Sequence, residues 1–584
     1  MPKSILVKSI VLTAFVAFAV ALTVLALRPH YVGTRTGKAD ENYITSKNCL
    51  VCHENHYESW RRTHHSRMTQ DAKPETIQGD FDHDNTFDYQ GVRSKMEKRG
   101  QAYFINFAYP DGKTESYKVE RTVGSRRVEQ YVTKQNGQYI RLPVAYDLMN
   151  RRWMSLNGSF FYPDSASFKQ HFTQWDTNCV FCHNVKAQPN FDFQTRLAKT
   201  EVAELGIACG ACHAQGAEHA ELASSPATRA LWHLDDKADT KIVDPLKLDT
   251  DRSMMICGHC HGQRIPQPQD RIREILTKGD PFDAGEDLPL MYTPIHQDTS
   301  IGNVSFANRF WADGSPRLTA YEYQGVLDSA CFKKGVPGNR INCLSCHTMH
   351  EGDIKGQITE EKTTNTACTQ CHTELRETNA MVQHTKHAAN SAGSSCYACH
   401  MPEVVYGVQT FHPTHRITVP DPSLTVEKPV PNACNQCHVD RSVNWAIDNS
   451  KELWPDRFHD LTASADPQFN IAEGVRGLFG GDALTRAMMA NALSIRADPI
   501  WAEPFLLEAF EKDNYPIVRY FAANGLSSSH ADRPKPDYFW SDEARSKTIS
   551  QWWILNDPSR TAEVRRLGAG LRAVRKDVDL EVGE

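Results

Sequence analysis

Between Cys343 and His438 the pattern C-x-x-C-H occurs four times: Cys343, Cys346 and His347; Cys368, Cys371 and His372; Cys396, Cys399 and His400; Cys434, Cys437 and His438. Four more copies lie upstream: Cys49, Cys52 and His53; Cys179, Cys182 and His183; Cys209, Cys212 and His213; Cys257, Cys260 and His261. Together they take sixteen of the seventeen cysteines and leave Cys331. Chance would supply fewer than about one such unit in a chain of this composition, which sets aside zinc sites and disulfides. The pattern is the attachment signature of c-type haem, in which two thiols become thioethers and the adjacent imidazole takes one axial position on the iron. Four macrocycles between Cys343 and His438 leave little chain for each. The porphyrins, rather than aliphatic side chains, must then supply most of the apolar core there.

The other strong signal is at the start. Lys3 and Lys8 precede an apolar and Thr segment from Ile10 to Leu27, which Arg28 and Pro29 end. At about 1.5 Å per residue this is just long enough to cross a bilayer. The reading is an N-terminal membrane anchor, with a signal cleaved after Ala26 as the alternative. Either way the lysines stay in the cytoplasm and the rest is exported to the periplasm, where c-type haem is attached. The net charge of -6 gives no reason to expect nucleic acid.

Along the chain, Cys49 to Met68 reads as helix, with Tyr57 and Trp60 walling the first haem and His64 or His65 as a second ligand. Residues 81–146 carry no motif and alternate instead. Tyr103, Ile105 and Phe107 precede Asp111-Gly112, Tyr117 and Val119 follow it, and Tyr131 with Val132 and Tyr139 to Leu142 flank Asn136-Gly137. This is a small antiparallel β insert whose Arg126, Arg127 and Arg141 could face haem propionates. Around the middle motifs lie His171, Trp175, an extra His259, and a Pro-rich loop region with His296. Cys331, beside Lys333 and Lys334, reads either as a buried packing thiol or, if exposed, as a reactive one with lowered pKa. In the dense stretch spare histidines recur at His350, His384, His387, His412 and His415. Of twenty-five histidines eight sit in motifs, so second ligands for every iron are available.

After His438 the composition turns to helix formers. Arg486, Ala490, Asn491 and Leu493 recur as Arg519, Ala523, Asn524 and Leu526, a weak repeat of HEAT type that reads as a partner-binding solenoid or as a plain helical cap. The expected fold class is therefore mainly α, with little regular structure around stacked haems, the β insert, and a C-terminal helical region. Residues 1–30 form the anchor or signal, 31–458 an octahaem domain, and 459–584 the helical domain and tail.

Taken in order, Cys49 to Met68, Gly216 to His219, Cys343 to His350, Cys396 to Pro402 and Pro431 to His438 resemble the multihaem cytochrome c-554 family and its larger relatives that end in helical repeats. That family is similar in fold to the octahaem hydroxylamine oxidoreductases and the octahaem nitrite and tetrathionate reductases. The resemblance implies eight covalent haems c and makes His65, His219, His350, His387 and His415 the second-ligand candidates. All eight motifs here end in His, where nitrite-reducing relatives often carry Lys at the active haem, and no residue can be assigned as the cross-linking tyrosine of hydroxylamine oxidation.

Two functions follow. The first is an electron carrier between redox donor and acceptor proteins, quinol-linked on the donor side. The second is a reductase or oxidase of nitrite, hydroxylamine or tetrathionate at one five-coordinate haem, with Cys331, Lys333 and Lys334 as the local candidates for sulfur chemistry.

Overall fold

The computed structural model describes residues 16, 20, 40, 42–83, 85–235, 239–318, 320–338, 340–529, 536–554 and 556–578. The apolar segment from Ile10 to Leu27 lies outside these, apart from Val16 and Val20. Among the described residues no helix is long and apolar enough to cross a membrane.

The hairpins expected from alternation form. β1 (Thr69–Asp71), β6 (Arg121–Val123), β7 (Val128–Gln135), β8 (Gln138–Asp147) and β10 (Thr173–Gln174) make one antiparallel sheet in the order β1-β6-β7-β8-β10, with β9 (Arg152–Ser155) also on β8. β2 (Asn85–Tyr89), β3 (Val92–Arg99), β4 (Ala102–Ala108) and β5 (Thr114–Lys118) make a four-stranded meander. Asn136 and Gly137 both have positive φ, 49° and 86°, and connect Gln135 to its partner Gln138. A two-residue loop needs those angles to match the twist of its strands. In β4 burial alternates, with Tyr103, Ile105 and Phe107 inward. β7 is buried from Val128 to Thr133, as a strand covered on both faces must be.

The C-terminal helices are α4 (Glu473–Gly480), α5 (Ala483–Arg496), α6 (Pro499–Lys512), α7 (Pro516–Ser529), α8 (Asp542–Trp553) and α9 (Pro558–Val574); α1 (Glu54–Arg62), α2 (Glu322–Asp328) and α3 (Val443–Leu453) precede them. Polar side chains cap the orphan N–H groups at several starts: Asp482 for α5, Asp498 for α6, Ser541 for α8 and Asp557 for α9, with Pro499 and Pro558 at first helical positions. Helices α4 to α9 share one apolar core with both sheets. Phe539 meets Phe87 and Tyr89 edge-on at 5.2 and 5.0 Å. A Cβ on Gly158 would lie 2.6 Å from the Phe539 ring, so only glycine lets that ring close on the loop after β9. The repeated arginines are both fully buried. Arg486 pairs with Asp513 at 2.7 Å, and Arg519 reaches Asp164 through two nitrogens at 2.7 and 3.0 Å.

The expectation of a mainly α chain is corrected. The protein is 42% helix and 17% strand, with two substantial sheets and several two-stranded ones. β1, β9 and β10 are too short for alternation to reveal. β9 and β10 join the sheet by pairing with β8, and β1 joins it by pairing with β6.

The haem-motif region is built differently. Between Cys343 and His438 the buried apolar residues, among those described, are Ala367, Met381, Val405 and Ala433. Aliphatic packing alone does not hold that stretch together.

Candidate haem-binding site

Each motif forms a single helical turn. The histidine N–H closes on the first cysteine's carbonyl: His53 on Cys49 at 2.9 Å, His183 on Cys179 at 3.1 Å, His261 on Cys257 at 2.8 Å, His347 on Cys343 at 2.9 Å, His372 on Cys368 at 3.0 Å and His438 on Cys434 at 2.9 Å. His213 and His400 end the short helices Cys209–His213 and Cys396–His400. One turn places i, i+3 and i+4 on the same side. The two thiols and the imidazole therefore point together at one face of a flat group.

Residues of seven motifs line one continuous cavity of about 2140 Å³: Cys182 and His183, Cys212, and both cysteines with the histidine of each of the last five motifs, from Cys257 to His261, Cys343 to His347, Cys368 to His372, Cys396 to His400 and Cys434 to His438. Protein interiors are close-packed, and few voids exceed a water molecule. A space of this size, walled by thiol pairs and imidazoles, fits covalently held porphyrins and no packing of side chains.

The imidazoles test the fit independently. Two metal–nitrogen bonds of about 2 Å, plus roughly 1.1 Å from each ring centre to its nitrogen, would separate two rings on opposite sides of one ion by about 6.2 Å. Six motif histidines face a second histidine at that separation: His53 and His219 at 6.3 Å, His213 and His350 at 6.4 Å, His261 and His65 at 6.1 Å, His347 and His415 at 6.3 Å, His400 and His384 at 6.0 Å, and His438 and His387 at 6.2 Å. His56 also lies 6.2 Å from His53, but 4.4 Å from His350, too close to span an ion with the latter. Among the described residues no imidazole is paired in this way with His183 or His372. His64 bonds Ser125 at 3.0 Å, His171 bonds Asn157 at 2.7 Å, and His259 bonds Asp280 at 2.8 Å. His296 lies 3.8 Å from Asp328, and His412 lies 3.4 Å from Glu322.

The thiols order the motifs in space. Cys49 lies within hydrogen-bonding reach of Cys209, Cys182 of Cys260, Cys257 of Cys343 and Cys368 of Cys396. Cys212 is close to Cys257, Cys346 to Cys368, and Cys399 to Cys437. Numbered along the sequence, the motifs run 1, 3, 4, 5, 6, 7, 8, with motif 2 a branch from motif 4.

Burial favours the neutral form of four facing imidazoles, His65, His350, His384 and His415. Burial, then the neighbouring histidines, lowers His65 to about 4. Burial does the same to His415, against the pull of Glu322. Neutral imidazole is the form that donates a lone pair to a metal. Burial opposes the charge of Glu322, yet His261, His412 and His415 around it hold that carboxyl down to about 2. The ring nitrogens turned away from the cavity find carbonyls: His213 that of Val243 at 2.7 Å, His347 that of Gly356 at 2.8 Å, His400 that of Thr418 at 2.7 Å and His387 that of Thr385 at 2.6 Å. Spacing in the sequence carries no sign of these partners.

The remaining candidates fall as follows. Arg126, Arg127 and Lys334 line the cavity; Arg141 bonds Gln130 at 3.3 Å and packs over Phe160. The Cys331 thiol is half-buried, and burial, followed by the nearby Cys368 and Cys371, raises its pKa; the lysines do not lower it. Lys333 is turned away to Asp328 at 2.8 Å. The set suited to sulfur chemistry is thus not assembled around Cys331.

Residues 354–439 match the family described as cytochrome c7 and related cytochrome c. Among solved structures the chain is similar to the crystal structure of outer cell wall cytochrome OcwA, with a TM-score of 0.47 and 16% identity, covering 84% of this chain and 100% of that one. No curated protein matches. The cytochrome c7-like segment and the repeated attachment motifs support a multihaem c-type cytochrome in electron transfer, with covalently bound haem c.

Proposed function

We propose that the chain carries electrons between redox proteins on the outer side of the cytoplasmic membrane, through eight covalently bound haems c, tethered by the apolar segment from Ile10 to Leu27. The observation that carries this reading is the set of six imidazole pairs, 6.0 to 6.4 Å apart, four of which line one cavity walled by motif cysteines. Haem supplies one-electron chemistry. The chain's contribution would be to hold neighbouring groups close through the thiol pairs, to present paired imidazoles to six of them, and to shield them from water. Cys49 to His53, far from the last motifs along the thiol order, suits the donor end; Cys434 to His438 suits the acceptor end. The C-terminal helices share their core with the β sheets, which supports a cap on the haem region in preference to a free solenoid for partners. The resemblance to the cytochrome c-554 family and the HEAT-like character of these helices belong to the same reading.

The test is the intact mass of the purified holoprotein with its haem content. Eight haems, all reducible and reoxidised by a protein acceptor, are expected. Fewer than eight attached groups would overturn the count.

One observation favours a second reading, reduction of a small nitrogen or sulfur compound at the haem of motif 2. His183 is partly buried, its buried Nδ1 has no hydrogen-bond partner, no imidazole faces it among the described residues, and it feels the charge of Arg141. A high-spin signal that shifts with nitrite, hydroxylamine or tetrathionate would support it. Absence of carbon monoxide binding by the reduced protein would remove it.

A further inference from the structure

Among the imidazoles that face a motif histidine, His219 differs from the rest in what holds its outer nitrogen. Its Nδ1 lies 2.5 Å from Asp239 Oδ2, whereas His387 Nδ1 bonds the neutral Thr385 carbonyl and the buried Nδ1 of His415 has no hydrogen-bond partner. Other carboxylates approach such rings less closely: Glu374 stands 3.6 Å from His372 and Glu322 stands 3.8 Å from His261. Asp239 is itself fixed, since its other oxygen accepts the Lys241 backbone N–H at 2.9 Å. The Trp232 ring lies parallel to His219 at 7° and 5.7 Å and backs the imidazole. The pair is largely withdrawn from solvent, with 19% and 11% of the two side chains exposed.

A carboxylate that accepts the outer N–H of a ligating imidazole fixes its tautomer, orients the ring and makes the inner nitrogen a stronger donor. A stronger donor and a fixed negative charge both favour the more positive, oxidised iron, and partial burial strengthens the effect. We infer that Asp239 is a positioning residue which acts through His219 to place the haem of Cys49, Cys52 and His53 at the low-potential end of the array. Electrons delivered there run downhill along the order set by the thiols. This rests on the proposal that His53 and His219 share one iron, and goes beyond it by assigning the direction of flow.

The experiment uses the full-length holoprotein and three substitutions, Asp239→Asn, Asp239→Glu and His219→Ala, read by spectroelectrochemical titration, haem content and the low-spin spectrum. Asp239→Asn keeps an acceptor without the charge. It is expected to move one midpoint potential upward, the lowest of the set, with haem content and low-spin signal unchanged; Asp239→Glu restores the original value. An unchanged set of potentials in Asp239→Asn, or movement of a component other than the lowest, would overturn the inference. So would loss of a haem in that variant, since attachment does not need the charge. His219→Ala separates the two levels. If it produces one high-spin haem while Asp239→Asn leaves every potential in place, only the role of Asp239 fails. If it leaves all haems as before, the pairing of His53 with His219 fails first.

Discussion

At the residue scale, the reactive groups are legible and their pairing is not. C-x-x-C-H names the thiols and the motif imidazole because a helical turn fixes their relation locally. The facing imidazole comes from elsewhere: His65 follows the first motif yet meets His261 of the fourth, and His350 follows the fifth yet meets His213 of the third. No spacing rule reaches across such distances. If these pairs share irons, replacing His415 by Ala should turn one low-spin haem high-spin and able to bind carbon monoxide, at unchanged haem content; visible and magnetic circular dichroism spectra would report it. A different residue scale effect concerns Glu129. Burial raises its carboxyl to about 8 even though the Gln78 and Gly79 N–H groups donate to it at 2.8 and 2.9 Å. Between its unfolded value and about 8 the folded state binds the extra proton, so this group favours folding below that window and loses its contribution as pH rises through it. Denaturant titrations of wild type and Glu129→Gln should converge at low pH and diverge by pH 9, with the variant the more stable.

At the element scale, the turn at Asn136-Gly137 and the β4 alternation are visible in the sequence because both are local. The β1, β9 and β10 partners are not, since two to four residues carry no period, and that is why the sheet around β7 and β8 is larger than the hairpin expected. The clamp between sheet and helices was equally hidden. Truncating Phe539 to Ala removes the ring that fills the space left by Gly158, and should cost about 3–5 kcal/mol in chemical denaturation of the holoprotein. Arg519→Met leaves Asp164 without its two-nitrogen partner. Because Arg545 still stands 3.6 Å from Asp164, the loss should fall at the low end for broken buried pairs, about 3 kcal/mol. The thirty-three-residue recurrence of Arg486 and Arg519 thus marks equivalent buried anchors, each with a carboxylate, and this pairing explains why arginine recurs there.

At the scale of the whole molecule, the chain divides into a part held by side chains and a part held by its cofactors. The sheets and C-terminal helices share a continuous apolar core, while the stretch from Cys343 to His438 buries four apolar residues. Protein produced without haem attachment should therefore keep slow hydrogen exchange in β7, β8, α5 and α7 and exchange rapidly through residues 343–438. The scarcity of aliphatic residues in the dense stretch was already evident from its motif density; the continuity of the cavity through seven motifs was not, because it depends on how distant segments meet. The central claim is that six haems are each held between two named imidazoles while those of His183 and His372 are not. Spin quantitation of the oxidised holoprotein by electron paramagnetic resonance tests it most directly. Six low-spin ferric haems with a high-spin remainder are predicted; eight low-spin haems, or fewer than six, would contradict it.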